Sequence, residues 1–214
     1  MELDLPRLLT ELSRERPIFH HEADFQHALA WRIHEARPDL RIRLEYKAHS
    51  SPPMYVDIWL SDGRFAVAIE LKYLAAACEV NVEGERYALT NQAAQDIRRY
   101  DFVKDIGRLE FLAAEGIASE GYAICLSNNR TFWREPLKTN VVDASFRIHE
   151  GTELYGPRAW GSAAGSGMVS KRDAIIDLAG KYALKWRDYS TINANRNIYF
   201  RYLLVHVVRG DRLA

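Results

Sequence analysis

Residues 55–73 read YVDIWLSDGRFAVAIELKY, and this pattern predicts a β-hairpin. The Asp62-Gly63 pair is a strong signal for a two-residue turn between two largely apolar arms. Counting outward from a turn at these two residues places Asp57 opposite Ala68. Because strand side chains alternate between faces, Asp57 is then expected on the same face as Glu70 and diagonal to it.

The second arm of this predicted hairpin carries charges that its apolar surroundings do not explain. Glu70 and Lys72 alternate with Ile69, Leu71 and Tyr73, so the two charges share one face of the strand. Burying two carboxylates and a lysine together is costly unless another charge balances them. A hard divalent cation such as Mg²⁺ accepts carboxylate oxygens as ligands. The hairpin therefore predicts a cation site.

Length and composition indicate an ordinary globular protein with residues 1–214 in a single domain, and the order of the predicted elements given below indicates an α/β core. Of its 214 residues 48% are hydrophobic and 27% charged, with a formal net charge of zero. A neutral chain has no overall attraction to polyanions, so any nucleic-acid site must be a local patch. The acidic, amphipathic start predicts no signal peptide, and no segment is long enough to span a membrane. With Cys78 and Cys125 expected to be reduced, we predict a cytoplasmic protein.

Apolar spacing predicts helices and strands in mixed order. The hairpin follows one strand and precedes a polar loop, and Thr90 is expected to cap the long helix. The predicted elements are a short N-terminal helix, a helix at 21–36, a strand at 40–47, the hairpin, a loop at 79–90, a helix at 91–114, a strand at 121–126, a mobile loop at 150–169, a helix at 171–186 and a strand at 200–208.

A third acid, Glu22, is expected to face the same region. It precedes Phe25 by three residues and Leu29 by seven, which places it on the inward stripe of its helix. The alternative, an acid in the first turn that is stabilised by the helix dipole, remains open.

The chain contains two Glu-x-Lys tripeptides, and their contexts differ. The tripeptide at residues 45–47 lies in a strand that alternates apolar and charged residues, as a solvated sheet face does. The tripeptide at residues 70–72 lies in an apolar strand, where each charge needs a partner. The alternative to a cation site is an internal ion pair of Lys72 with Glu70 or with Asp57.

An acid lies on an early helix, Asp57 on one strand and Glu70-x-Lys72 on the next, and a helix follows them. This order of elements resembles the PD-(D/E)XK nuclease superfamily. The resemblance covers about residues 19–130 as the core, with residues 131–214 as a decorated C-terminal region. Val56 precedes Asp57, where the motif name has proline. The resemblance implies a restriction-endonuclease-like core, with a central mixed β-sheet flanked by helices.

The resemblance also implies roles for these residues. Asp57 and Glu70 would bind Mg²⁺ or Mn²⁺ together with the carbonyl of Leu71. Lys72 would orient or activate the attacking water and neutralise charge on the phosphorus centre, and Glu22 would assist the metal. The expected activity is hydrolysis of phosphodiester bonds, in DNA rather than RNA because DNA is the family's usual substrate.

Basic and polar residues outside this centre are candidates for nucleic-acid contacts. Phe132 and Trp133 interleave with one basic set, as stacking residues would. A solvated charged face is the alternative for each set. The candidates are Gln95, Arg98, Arg99, Lys104, Arg108, Arg130, Arg134 and Lys138.

Two further hypotheses remain open beside the nuclease. One is a non-catalytic module that keeps this fold and binds nucleic acid or protein. The other is an unrelated α/β protein in which the hairpin charges form an internal ion pair. Whether the chain forms a homodimer is also left open by the sequence.

Overall fold

The computed structural model describes residues 3–193 and 195–209. Its helices are α1 (Leu5–Glu15), α2 (Glu22–Ala36), α3 (Gln95–Ala114) and α4 (Ser166–Val169). Its strands are β1 (Arg41–Ser50), β2 (Pro53–Ser61), β3 (Ala66–Leu74), β4 (Cys78–Val82), β5 (Glu85–Leu89), β6 (Glu120–Ser127), β7 (Glu153–Arg158), β8 (Ile176–Ala183), β9 (Trp186–Asn193) and β10 (Ile198–Val208). None of the helices in these ranges has the length and apolar character that crossing a bilayer requires.

A mixed six-stranded sheet forms the centre of the molecule, in the order β1-β2-β3-β6-β10-β9. Strands β3 and β6 run parallel, and the other neighbours are antiparallel. Helices flank this sheet, so the predicted α/β class with a central mixed sheet is confirmed.

Strand β3 is buried on both faces, because helices cover each side of the sheet. On one side Ile69 and Leu71 pack in a core cluster with Phe25 and Leu29 of α2. On the other side Ala68 packs in a second cluster with residues of α3, among them Val103. Burying each large apolar side chain contributes about 1.5–3 kcal/mol. Polar side chains of β3 therefore lie in a layer where water is scarce.

The β2–β3 hairpin forms, but the prediction of a two-residue turn is wrong. Ser61 pairs with Ala66, so the connection contains four residues. The Asp62 carboxylate accepts hydrogen bonds from the N–H groups of residues 64 and 65, both at 2.8 Å, and Gly63 adopts a φ of +93°. These side-chain bonds hold a wider loop than the dipeptide signal implied.

The wider loop moves the register by two positions, which leaves the predicted faces unchanged. Paired residues extend from Ser61 and Ala66 to Ile58 and Ile69. Asp57 therefore lies just past the last paired position, at the level of Glu70 rather than opposite Ala68 as predicted.

Several predictions outside the hairpin are wrong. Residues 79–90, predicted as a loop, contain most of the β4–β5 hairpin. Thr90 does not cap the long helix, which begins at Gln95 after Ala94 in a left-handed conformation with φ +57°. The segment at 150–169, predicted as a mobile loop, includes β7 and α4.

The predicted helix at 171–186 is also wrong, since this segment forms β8 and enters β9. Leu178, Gly180 and Tyr182 are buried while the residues between them are exposed. This alternation with a period of two is typical of a strand that packs with one face on a core.

Candidate functional site

Two carboxylates take the place of a neighbouring strand along the last residues of β3. The pairing of β3 with β2 ends at Ile69. Asp57 Oδ2 accepts a hydrogen bond from the Leu71 N–H at 2.5 Å, and Glu22 Oε2 accepts one from the Tyr73 N–H at 2.8 Å. The divergence of β2 from β3 thus brings the predicted acids Asp57 and Glu22 to the same edge.

A local irregularity in β1 and β2 positions Asp57. Glu45 has a φ of +50°, and the register passes from Leu44 with Ile58 to Tyr46 with Val56 without pairing Glu45 and Asp57. The buried amide of Gln26 donates hydrogen bonds to the Asp57 carbonyl at 2.7 Å and to Glu45 Oε1 at 2.8 Å. Gln26 therefore satisfies backbone that the sheet leaves unpaired, and it holds Asp57 in place.

Helix α3 supplies two charged partners to β3. The Lys72 ammonium lies 2.7 Å from Asp105 Oδ2 and donates a hydrogen bond to the Leu71 carbonyl at 3.0 Å. Arg108 Nη2 lies 3.1 Å from Glu70 Oε1, while Arg108 Nη1 lies 3.2 Å from Asp105 Oδ1. Glu70 and Lys72 are thus joined through the helix rather than to each other.

Sequence reasoning identified neither Asp105 nor Arg108 as a partner of Glu70 and Lys72, and it considered Arg108 only as a candidate for nucleic-acid contact. The spacing of these two residues in the sequence could have indicated them. The two residues are three apart on one face of α3, and that face packs against the charged face of β3. What the sequence lacked was the pairing of this helix face with this strand. The internal ion pair considered as the alternative to a cation site exists for Lys72, but its partner is Asp105 rather than Glu70 or Asp57.

Burial and the neighbouring charges shift the pKa values of these groups. Burial raises the pKa of Asp57 to about 6, although the Leu71 N–H and Lys72 oppose the shift. Burial, followed by repulsion from Asp105, raises the Glu70 pKa well above its usual value despite the nearby Arg108. Burial lowers the Lys72 pKa, but Asp105, Glu22 and Asp57 outweigh it, and the net pKa is raised.

The centre carries more negative than positive formal charge. Its two cations are Lys72 and Arg108, and the groups that interact with them electrostatically include four carboxylates, which leaves an excess of two negative charges. The four carboxylates are Glu22, Asp57, Glu70 and Asp105. Glu70 and Asp105 are buried and Asp57 is partly buried, whereas Glu22 is exposed, so the excess favours protons or a bound cation at the buried acids.

The donor atoms fit a hard divalent cation. Asp57 and Glu70 supply carboxylate oxygens, and the Leu71 carbonyl lies beside Lys72 at the same strand edge. Glu70 Oε1 is buried and accepts no hydrogen bond, since its contact with Arg108 lacks hydrogen-bond geometry. Within residues 3–193 and 195–209, no three His, Cys, Asp or Glu side chains are gathered as a metal-binding group. Mg²⁺ is commonly held by one or two carboxylates together with water and substrate phosphates.

A cleft of about 480 Å³ opens onto this centre between β3 and α3. Glu22 and Lys72 of the centre line it, whereas Asp57 and Glu70 do not. Arg98, Lys104 and Arg108 of α3 line it together with Asp101 and Asp105, so its helix wall presents three cationic and two acidic side chains. Of the residues predicted to contact nucleic acid, Arg98, Lys104 and Arg108 line this cleft.

The structure contradicts a nucleic-acid contact by Arg99. Its guanidinium is buried, lies 2.8 Å from the Asp143 carboxylate and donates to the Thr131 carbonyl at 2.9 Å. Phe132 and Trp133 are also buried, so the prediction that they stack on bases is wrong. These residues belong to the core beneath α3.

The remaining candidates lie apart from the cleft. Arg130 is placed over the Tyr199 ring, 5.2 Å from its centroid, and Arg134 is exposed on the surface. The Gln95 amide oxygen accepts a hydrogen bond from the Thr131 hydroxyl at 2.9 Å. The tripeptide at residues 45–47 is exposed on the edge strand β1, as predicted.

Comparisons with protein-family models, curated proteins and solved structures found no match to this chain.

Proposed function

We propose that this chain is a metal-dependent nuclease that hydrolyses phosphodiester bonds in DNA, on a restriction-endonuclease-like core. The order of its elements supports this: α2, the antiparallel strands β1, β2 and β3, α3, and then β6 parallel to β3. The observation that carries the proposal is the convergence of Asp57, Glu70 and Lys72 at the edge of β3 with an excess of negative charge.

Asp57, Glu70 and the Leu71 carbonyl would hold Mg²⁺ or Mn²⁺. When bound, the ion supplies positive charge to a phosphoryl oxygen and lowers the pKa of a water molecule. This chemistry matches the requirement of phosphodiester hydrolysis, in which an anionic substrate is attacked by a deprotonated water.

Lys72 acts as a fixed positive charge in this proposal. Asp105 keeps its ammonium protonated and 2.7 Å away, so Lys72 orients water and neutralises phosphoryl charge rather than accepting a proton. Glu22 lies in the cleft and stays bonded to the Tyr73 N–H, from where it orients water near the metal. Arg98 and Lys104 contact substrate phosphates from the helix wall.

The two Glu-x-Lys tripeptides provide a matched test. We compare the wild type, Lys72→Ala and Lys47→Ala on plasmid, linear and single-stranded DNA and on RNA, with Mn²⁺. Lys47 is exposed on β1, so Lys47→Ala should cleave like the wild type, whereas Lys72→Ala should lose about 100-fold or more. Cleavage that persists at the wild-type rate in Lys72→Ala would remove the proposed centre.

One observation favours a second function, a non-catalytic module that binds nucleic acid. Glu70 and Lys72 already have partners on α3, so the centre is balanced in part without a metal. Such a module would bind DNA without cleaving it. Cleavage of DNA in Mn²⁺ that disappears in Asp57→Asn would exclude this alternative.

A further inference from the structure

Arg108 stands between the acids of the centre and the open cleft. Its guanidinium contacts Glu70 at 3.1 Å and Asp105 at 3.2 Å, and it donates to the Tyr55 carbonyl. About a quarter of its side chain is exposed, and it lines the cleft. The same guanidinium is therefore within reach both of a proposed metal ligand and of a polyanion entering the cleft.

We propose that Arg108 competes with the divalent cation for Glu70, and that a polyanion in the cleft relieves this competition by binding Arg108. The inference rests on the proposed function and concerns the regulation of the same site. Metal binding then depends on substrate, because Arg108 repels the divalent cation and attracts the polyanion.

The competition follows from charge at short range. A divalent ion that uses Glu70 would lie close to a guanidinium 3.1 Å from that carboxylate, and the two cations repel each other strongly in a layer with little water. A phosphate is a strong bidentate acceptor for Arg, so it can take over the guanidinium without leaving it unpaired. Neutralisation of Arg108 then removes the repulsion.

Thermodynamic linkage makes the effect reciprocal. If a polyanion increases Mn²⁺ affinity, Mn²⁺ must increase polyanion affinity by the same factor. The coupling should depend on Arg108 more than on Lys104, which lines the same cleft but is exposed. Lys104→Gln therefore removes the same charge from the cleft without removing the contact with Glu70.

The test is Mn²⁺ binding by calorimetry to the wild-type chain, Arg108→Gln, Arg108→Lys and Lys104→Gln, without nucleic acid. Arg108→Gln should bind Mn²⁺ about tenfold more tightly than the wild type, while Lys104→Gln should change affinity by less than about twofold. Arg108→Lys retains the charge and should stay near the wild type. Circular dichroism establishes that each variant is folded.

A second titration adds a short phosphorothioate DNA duplex. The duplex should tighten Mn²⁺ binding about tenfold in the wild type and leave Arg108→Gln nearly unchanged. Equal Mn²⁺ affinity in the wild type and Arg108→Gln would overturn the inference and leave the proposed nuclease intact, provided that Asp57→Asn abolishes binding. Failure of every variant to bind Mn²⁺ would overturn both.

Discussion

The Lys72 ammonium and the Asp105 carboxylate form a buried ion pair of 2.7 Å that joins the central strand β3 to the long helix α3. It places a positive charge next to two further acids, Glu22 and Asp57, and holds it there. Because removing one partner of a buried pair leaves an uncompensated charge, this contact is expected to affect both the stability and the proposed chemistry.

Asp105→Asn should change the pH dependence of cleavage. Asp105 is the strongest influence that raises the Lys72 pKa, while burial lowers it. Without the carboxylate the lysine should lose its proton at a lower pH, so the alkaline limb of kcat/KM should move to lower pH. The value near neutral pH should fall by about tenfold or more.

Asp101→Asn is the matched control for this measurement. Asp101 lies one turn earlier on α3, and its carboxylate is 3.9 Å from Arg98 and 3.7 Å from Arg172. Its substitution should leave the pH profile of kcat/KM in place. An unchanged profile in Asp105→Asn would show that Asp105 has only a structural role.

Asp57→Asn should make the metal-free protein more stable near neutral pH. The folded-state pKa of Asp57 is raised to about 6, so the folded chain keeps this proton to a higher pH than the unfolded chain. The free energy of unfolding of the wild type should therefore fall relative to Asp57→Asn as pH rises from about 4 to 7, by on the order of 2 kcal/mol.

Urea denaturation with a chelator present, at several pH values, measures this difference. The asparagine oxygen can still accept the bond from the Leu71 N–H, so the geometry is preserved. The same substitution at Asp188, whose side chain is 93% exposed, serves as the control and should show no comparable trend. A constant difference between wild type and Asp57→Asn across the pH range would contradict burial as the cause.

Gln26→Leu should weaken both the fold and the site. It removes the donor to the Asp57 carbonyl and to Glu45, and it leaves a buried carbonyl unsatisfied. The free energy of unfolding should fall by about 1–3 kcal/mol, and stabilisation by Mn²⁺ should decrease because Asp57 is held less firmly.

Gln95→Leu is the corresponding control for Gln26→Leu. Its amide oxygen accepts one bond, from the Thr131 hydroxyl in an exposed setting, so its loss should cost less. Melting curves with and without Mn²⁺ separate the two effects. Unaltered Mn²⁺ stabilisation in Gln26→Leu would mean that Asp57 keeps its place without the amide.

Substitution of the neighbours Arg98 and Arg99 should affect different properties, DNA binding for Arg98 and stability for Arg99. Arg99 is 4% exposed and paired with Asp143, so Arg99→Met should destabilise the protein by about 3–5 kcal/mol. Arg98 lines the cleft, so Arg98→Gln should keep the stability but weaken DNA binding. The slope of the logarithm of the DNA-binding constant against the logarithm of the salt concentration should fall in magnitude by about one.

Denaturation and DNA binding at several salt concentrations test this pair of substitutions. Arg98→Gln with unchanged binding would show that the helix wall of the cleft does not contact the phosphates.

The apolar pattern of β3 was sufficient to predict a buried strand. The charged exceptions Glu70 and Lys72 were sufficient to single it out as a candidate site. Helix and strand periodicities are local properties of the chain and directed Glu22 and Asp57 toward β3, where both accept hydrogen bonds from its backbone. The same local reasoning failed at the turn, where the Asp62 side chain widened the loop, and over β8 and the β4–β5 hairpin.

The sequence alone therefore determined which residues carry charge into an apolar layer and on which faces they lie. Only the tertiary structure decided their partners, because Asp105 and Arg108 reach Glu70 and Lys72 through the packing of α3 across β3. It also decided that Arg99 is buried beside Asp143 while Arg98 lines the cleft. Periodicity sets the direction of a side chain relative to its own element, whereas its burial and its ion pairs depend on which distant element packs there.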